Sequence, residues 1–268
     1  MPDGTIPTLA VPGARQPLLA NPMLLFGARA LILMAVLGLW EYASGRWIPR
    51  IWVSSPSAIA MVLQRWTLDG SLWRHVQATL LASGLGYAAG AASGVAAGLA
   101  LGLLPTVARV AAPFLAAFYA LPKIALAPLL VIMFGIGLES KIVLVASAVF
   151  FLLLYSTRDG LRDIDRDMVR GIEIMGASRA EVVRTVLLPG VMPWVFSGLR
   201  ISVRYAFTAA ILGELIAGNQ GIGFLIEMSA GQFNSAGVFA AVFVLVVVSV
   251  ALTELLTRTE ASALTWKM

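Results

Sequence analysis

The sequence predicts an all-α transmembrane protein of about six membrane-spanning helices, and three observations lead there. Of its 268 residues, 59% are hydrophobic and 12% charged, against roughly 25% charged in an average soluble domain. A soluble domain of this length cannot hide so much apolar surface, whereas a bilayer is itself the apolar solvent. The apolar residues also fall in long runs separated by short polar breaks, and a helical span needs about 20 of them.

Six runs qualify: Leu24 to Ala43, His75 to Leu104, Val110 to Phe134, Lys141 to Tyr155, Val191 to Ala217 and Val238 to Leu256. The first ends in Trp40, Glu41 and Tyr42, an interface-type cluster, and Trp47 and Trp52 follow. The third is broken by Pro122 and Pro128. Residues 1–23 are proline-rich and lack the charged start, short apolar core and cleavage site of a secretory signal. They read as a cytoplasmic tail, 24–257 as the membrane domain and 258–268 as a second cytoplasmic tail. Residues 44–74 read as an extracytoplasmic loop with a short surface helix, and 218–237 as a nearly uncharged connection.

The net charge is +5, but the arginines sit between apolar runs instead of forming one stripe, so they read as a topology signal and not as a nucleic-acid surface. With the N-terminus inside, Arg109, the six arginines of 158–190, Arg258 and Lys267 face the cytoplasm. The opposite side holds mainly Arg46, Arg50, Arg65, Arg74 and Lys141. This bias places both termini in the cytoplasm.

Gly86, Gly90, Gly94, Gly98 and Gly102 recur every fourth residue and form one stripe on the second span. Such faces let another backbone approach closely, either as static packing or as an interface that slides.

Residues 163–190 are too polar to enter a bilayer and read as helix–Gly–helix. Arg166 to Met175 forms the first helix and Gly176 interrupts it. Ser178 to Leu187 forms the second, opened by a capping box of Ser178 and Glu181. Pro189 ends that helix, and Pro193 restarts the chain as the fifth span. Met168, Val169, Ile172 and Met175 supply an apolar ridge and the mixed charges a polar surface, together a docking element for a soluble partner. The alternative is a helix resting on lipid headgroups; the balanced charge argues against it.

This loop resembles the cytoplasmic signature of ABC importer permeases: EAA, three residues, Gly, nine residues, Ile, any residue, Leu-Pro. Nine residues after Gly176 stand Val186, Leu187, Leu188 and Pro189, whereas Arg170, Gly171 and Ile172 replace the EAA. The resemblance extends to Ser55–Ala58, Ala120–Ile142, Gly198–Val203 and Gly213–Ile226, which are similar to the sulfonate, taurine and nitrate branch. It implies a type I importer permease whose coupling helix sits in a groove of an ATPase subunit. Arg170, Ile172, Glu173, Met175, Gly176, Ala177, Ser178, Val186, Leu188 and Pro189 would form the coupling element. The implied partners are two ABC ATPase subunits, a second permease subunit completing a homodimer, an extracytoplasmic substrate-binding protein and bacterial inner-membrane lipid. The implied solute is a sulfonate, taurine, nitrate or similar, moved by alternating access.

The sequence has no Gly-Lys dipeptide, so it has no P-loop for ATP phosphates. No cofactor is expected on this chain, ATP and Mg belonging to the partner ATPase. With no Cys and a single His, His75, neither a metal site nor a thiol nucleophile is expected, and no Ser–Lys pairing stands out, which argues against an intramembrane enzyme. His75 itself reads as an interfacial residue. Ionisable residues at membrane depth are costly and are functional candidates. Arg200 and Arg204 share one face of the fifth span, Glu214 lies near its outer end, Lys123 follows Pro122, and Glu41 ends the first span. Lys123, Arg200, Arg204 and Glu214 are the candidates to line or gate a path for an anion; otherwise the basic ones meet helix ends or headgroups. A secondary, ion-coupled transporter is the rival, but internal repeats and a preponderance of intramembrane acids are missing.

Overall fold

The computed structural model describes residues 22–263, which are nearly all helical. The tail readings at 1–21 and 264–268, and the side chain of Arg258, lie outside the described residues. Two compact units divide the chain, one ending at Ser57 and the other starting at Ala58.

The first unit is built on α1 (Pro22–Ala43), which exposes apolar side chains such as Leu31, Met34 and Phe26 around its surface. Beyond it the chain turns tightly, Ser44 donating through Oγ to the Val53 carbonyl. Glu41 accepts from the Ser57 amide at 2.9 Å and from its hydroxyl at 2.7 Å. Ser57 is the second residue of α2 (Pro56–Leu68), so Glu41 satisfies an orphan donor at the start of that helix. This is the surface helix expected within 44–74.

The second unit is organised around α3 (Ser71–Leu103) and α6 (Leu138–Arg162). A methyl at Gly90 would lie 2.6 Å from the Ala146 carbonyl oxygen, one at Gly94 2.6 Å from that of Phe150, and one at Gly98 2.7 Å from that of Leu154. Gly86 faces Val145 and Gly102 faces Leu161. Each glycine therefore meets the next turn of a parallel helix, and the stripe is spent on packing within the chain. Two parallel neighbours require a return crossing between them. It is made by α4 (Pro105–Ala120), a 3₁₀ turn at Lys123–Leu126 and α5 (Ala127–Phe134), bent by 83°. The third span is thus two helices. The break falls at Leu121–Pro122, because the residue before a proline is driven out of the helical region. Pro128 breaks nothing, since it occupies the first turn of α5, where its missing N–H has no role.

α6 then packs against α9 (Leu188–Ala217) in the opposite direction. Leu144 meets Gly213, Leu153 and Ser156 meet Gly198, and Gly160 meets Trp194. Ser156 donates to the Trp194 carbonyl at 2.8 Å. The fifth span has no fresh start at Pro193, which lies inside α9. A π-helical turn at Val183–Leu187 precedes α9, directly before Pro189, which has no N–H to continue an α-helical ladder. Five described stretches are long and apolar enough to cross a membrane, or six with the bent pair.

The connection expected at 218–237 contains a helix, α10 (Ile222–Gly231), before α11 (Ser235–Ala263). Its start is held by three side chains. Gly221 N donates to His75 Nδ1 at 3.0 Å, Ile222 N to Thr79 Oγ1 at 2.9 Å and Gly223 N to Glu214 Oε2 at 3.0 Å. Thr79 Oγ1 in turn donates a hydrogen bond to Glu214 Oε2 at 2.9 Å, and Lys141 donates to the Gln220 carbonyl at 2.7 Å. Val76, Ile222 and Val244 pack beneath as a small apolar cluster. α11 continues to Ala263, past the expected tail boundary at residue 258.

Gly90→Ala is expected to lower the thermal unfolding midpoint in detergent, at a cost of about 1–3 kcal/mol for overpacking. Gly84 opens onto empty space, so Gly84→Ala should leave the midpoint unchanged or raise it slightly, because Ala is the better helix former. Equal midpoints would mean the two helices are not in contact at Gly90. Glu214→Ala should cost about 1–3 kcal/mol by stranding buried donors, with Glu214→Gln milder; proteolysis of the 218–221 turn reads the difference.

Candidate functional site: an exposed loop and a basic face at membrane depth

The loop between α6 and α9 folds as its local chemistry dictates. Asp165 caps α7 (Arg166–Ile174), accepting from Asp167 N at 2.8 Å. Gly176 follows at φ +90°. Its N–H bonds to the Glu173 carbonyl at 3.0 Å, and that of Ala177 to Ile172 at 3.2 Å. This pair of bonds is the Schellman motif, which favours glycine at the left-handed position. Ser178 and Glu181 form the expected capping box of α8 (Arg179–Val182). Val182 and Val186 are buried and anchor the loop, and Arg179 reaches back to the Leu103 carbonyl at 3.4 Å. Val186 is therefore turned inward, whereas Leu188 and Pro189 stay accessible at the entry to α9.

The expected ridge is divided. Met168 and Met175 project outward, but Val169 and Ile172 are half-buried. Ile174, overlooked in the sequence because it falls off the helical stripe, is 86% exposed beside Met175 at 85%. Arg170, Glu173, Gly176 and Ser178 are exposed and Ala177 half-buried around them. Arg170 pairs with Asp167 at 3.3 Å, an exposed contact that contributes little. Ile174 and Met175 thus place large exposed apolar side chains on a polar helix–turn–helix.

At the opposite end of the bundle, Glu214 is 1% exposed and belongs to the cap of α10. It does not line an open path in this structure. Thr79, His75 and Lys141 join it there. Their partners are more than 60 residues distant in sequence, so no local signal marks them. His75 also stacks on Phe224 with centroids 5.8 Å apart.

Lys123 lies between these ends. Its Nζ donates to the carbonyls of Phe118 at 2.6 Å, Tyr119 at 3.0 Å and Leu121 at 2.9 Å, closing the end of α4. It also sits 4.7 Å from the Phe151 ring centroid, a cation–π distance. Its three N–H bonds are thus committed, and what it offers to a solute is charge. A cavity of about 260 Å³ lies against it, walled by Leu144 and Ala148 of α6 and by Tyr205, Thr208 and Leu212 of α9. Arg200 and Arg204 are exposed on α9 beside Ile201 and Tyr205, opposite the buried Gly198, Ser202 and Ala206. Neither Arg200 nor Arg204 lines the Lys123 cavity.

Residues 90–259 match the family described as the binding-protein-dependent transport system inner membrane component. The chain is 36% identical over 238 residues to the riboflavin transport system permease protein of Chloroflexus aurantiacus, covering 88% of each. It is 33% identical over 188 residues to the taurine transport system permease protein of Escherichia coli, 70% of this chain and 68% of that one. The formylaminopyrimidine transport permease protein of Halalkalibacterium halodurans is 30% identical, with 88% and 94% covered. Among solved structures, an inward-facing form of the MetNI methionine ABC transporter superposes at TM-score 0.61 and 21% identity, over 75% of this chain and 97% of that one. An amino acid ABC transporter superposes at 0.58 and 13% identity, over 75% and 97%, so both report the fold. The chain is a member of the binding-protein-dependent transport system inner membrane component family, the non-catalytic membrane permease subunits of ABC importers.

Proposed function

We propose that this permease lines the path of an ATP-driven importer for a small anionic solute of the sulfonate, taurine or nitrate class. Two ATPase subunits dock on 163–189, a second copy of the chain completes the path, and an extracytoplasmic binding protein delivers the solute. Both termini then lie on the cytoplasmic side of the bacterial inner membrane, with the loop. The observation that carries this reading is Ile174 and Met175, exposed at 86% and 85% on a capped helix–turn–helix in a chain that has no P-loop of its own. Nucleotide binding elsewhere reaches the spans only through such a contact. Alternating access follows when the docked ATPases close and draw paired loops together.

Positive charge at Lys123, Arg200 and Arg204 supports an anion, because charge crossing a low-dielectric region needs a fixed partner. A second reading is favoured by the wall of the Lys123 cavity. Its apolar and aromatic lining and the committed donors of Lys123 suit a flat heteroaromatic solute. Relatives named for riboflavin and formylaminopyrimidine transport support that alternative.

The chain co-expressed with the ATPase encoded beside it is expected to purify as a complex. Ile174→Asp/Met175→Asp should weaken that association by about 30-fold or more, the effect of losing a buried apolar anchor, while the chain itself still folds. Retention of the ATPase by the double variant would overturn the docking assignment. Lys123→Gln should leave the complex assembled but reduce taurine uptake into proteoliposomes about tenfold if charge guides the solute. Unchanged taurine uptake, with riboflavin uptake present, selects the second reading.

A further inference from the structure

A cavity of about 530 Å³ opens at the end of the bundle that carries the loop. It lies outside both the Ile174–Met175 surface and the Lys123 cavity. Arg109, Arg162, Arg166 and Arg170 line it together with one carboxylate, Glu173. Arg170 is paired with Asp167. Arg109, Arg162 and Arg166 make no ion pair among the described residues. Four guanidinium groups against one carboxylate leave the cavity with an excess of positive charge, and an anion between them lowers their mutual repulsion.

The surroundings specify the anion. Arg162 ends α6 and Gly102 lies in the last turn of α3, so the cavity sits where two membrane-crossing helices reach the interface. The first turn of α4 borders it at Pro105, and the positive end of that 16-residue helix adds to the field. Guanidinium forks match phosphate oxygens in pairs. The floor is apolar, formed by Leu101, Leu161 and Leu187, which suits a phosphate attached to acyl chains better than a free hydrated ion.

We propose that this cavity is a binding site for a phosphate anion, supplied by the headgroup of a negatively charged phospholipid. A bound lipid braces α7 against α3, α4 and α6, and so sets the position of the docking loop. Nothing in this inference requires a particular transported solute, and its readout is independent of ATPase docking.

The test uses the full chain in nanodiscs containing phosphatidylglycerol and phosphatidylcholine, with retained lipid counted by native mass spectrometry after extraction. Wild type is expected to retain phosphatidylglycerol in preference to phosphatidylcholine. Arg109→Gln/Arg162→Gln should retain about tenfold less, given the attraction of each basic group for anionic lipid. Arg184→Gln, a basic residue outside the cavity, should behave as wild type. All three substituted positions are exposed, and an unfolding midpoint in pure phosphatidylcholine checks the fold. Should the pair fail to fold, Arg166→Gln alone carries the same expectation. Equal retention by the variant, or equal retention of both lipids, overturns the proposal. Displacement of the lipid by millimolar inorganic phosphate overturns the lipid as the source and assigns the site to free phosphate.

Discussion

Glycine at every fourth position of α3 lets two backbones touch, and the architecture follows from that contact. Association in a bilayer gains nothing from removing apolar surface from water, since lipid tails are as apolar as the side chains. What remains is close packing. The seam from Gly86 to Gly102 brings successive turns of α6 against bare backbone, with carbonyl oxygens of Ala146, Phe150 and Leu154 at the closest points. Because the two helices run parallel, the chain between them must recross, and the proline-broken pair α4 and α5 supplies that path. α9 then packs on α6 through Gly198 and Gly213 and shares a core with α3 and α6 around Ala91, Val149, Leu153 and Ala206.

The two ends of this bundle are built with different physics. One end is buried and polar. His75, Thr79 and Glu214 take the N–H groups of Gly221, Ile222 and Gly223 at the start of α10, groups that would be costly to leave unpaired away from water. The other end is exposed and self-capped, with Asp165, Gly176 and Ser178 fixing a helix–turn–helix from within. Its caps need no support from the membrane domain, which leaves Ile174 and Met175 available to another protein. That surface is joined to the spans by Val182 and Val186, which are buried, and by the π-turn that runs into α9.

Much of this was legible residue by residue. The glycine stripe, the capping box and Gly176 are local signals whose spacing has one physical meaning, and each stands in the structure where the spacing placed it. Three readings went astray for the same reason. The 218–237 segment read only as a nearly uncharged connection, yet packing against Val76 and Val244 and the cap from α3 and α9 make Ile222–Gly231 helical. Pro193 looked like a helix start, but α9 begins at Leu188 and runs through it. Ile174 was overlooked because its position off the apolar stripe marks exposure only once the turn at Gly176 is in place.

The sequence by itself determined the solvent, a bundle of about six apolar runs and the place of the polar helix–turn–helix loop. Those depend on composition, on run length against bilayer thickness and on short-range capping, all of which act within a few residues. Tertiary structure alone decided which charges are free and which are committed. Lys123 is tied to three carbonyls of its own bend, Glu214 is sealed beneath α10, and Arg109, Arg162 and Arg166 converge on one cavity. Partners separated by up to 146 residues in sequence leave no periodic trace, because burial and pairing are properties of the packed helices and not of any one of them.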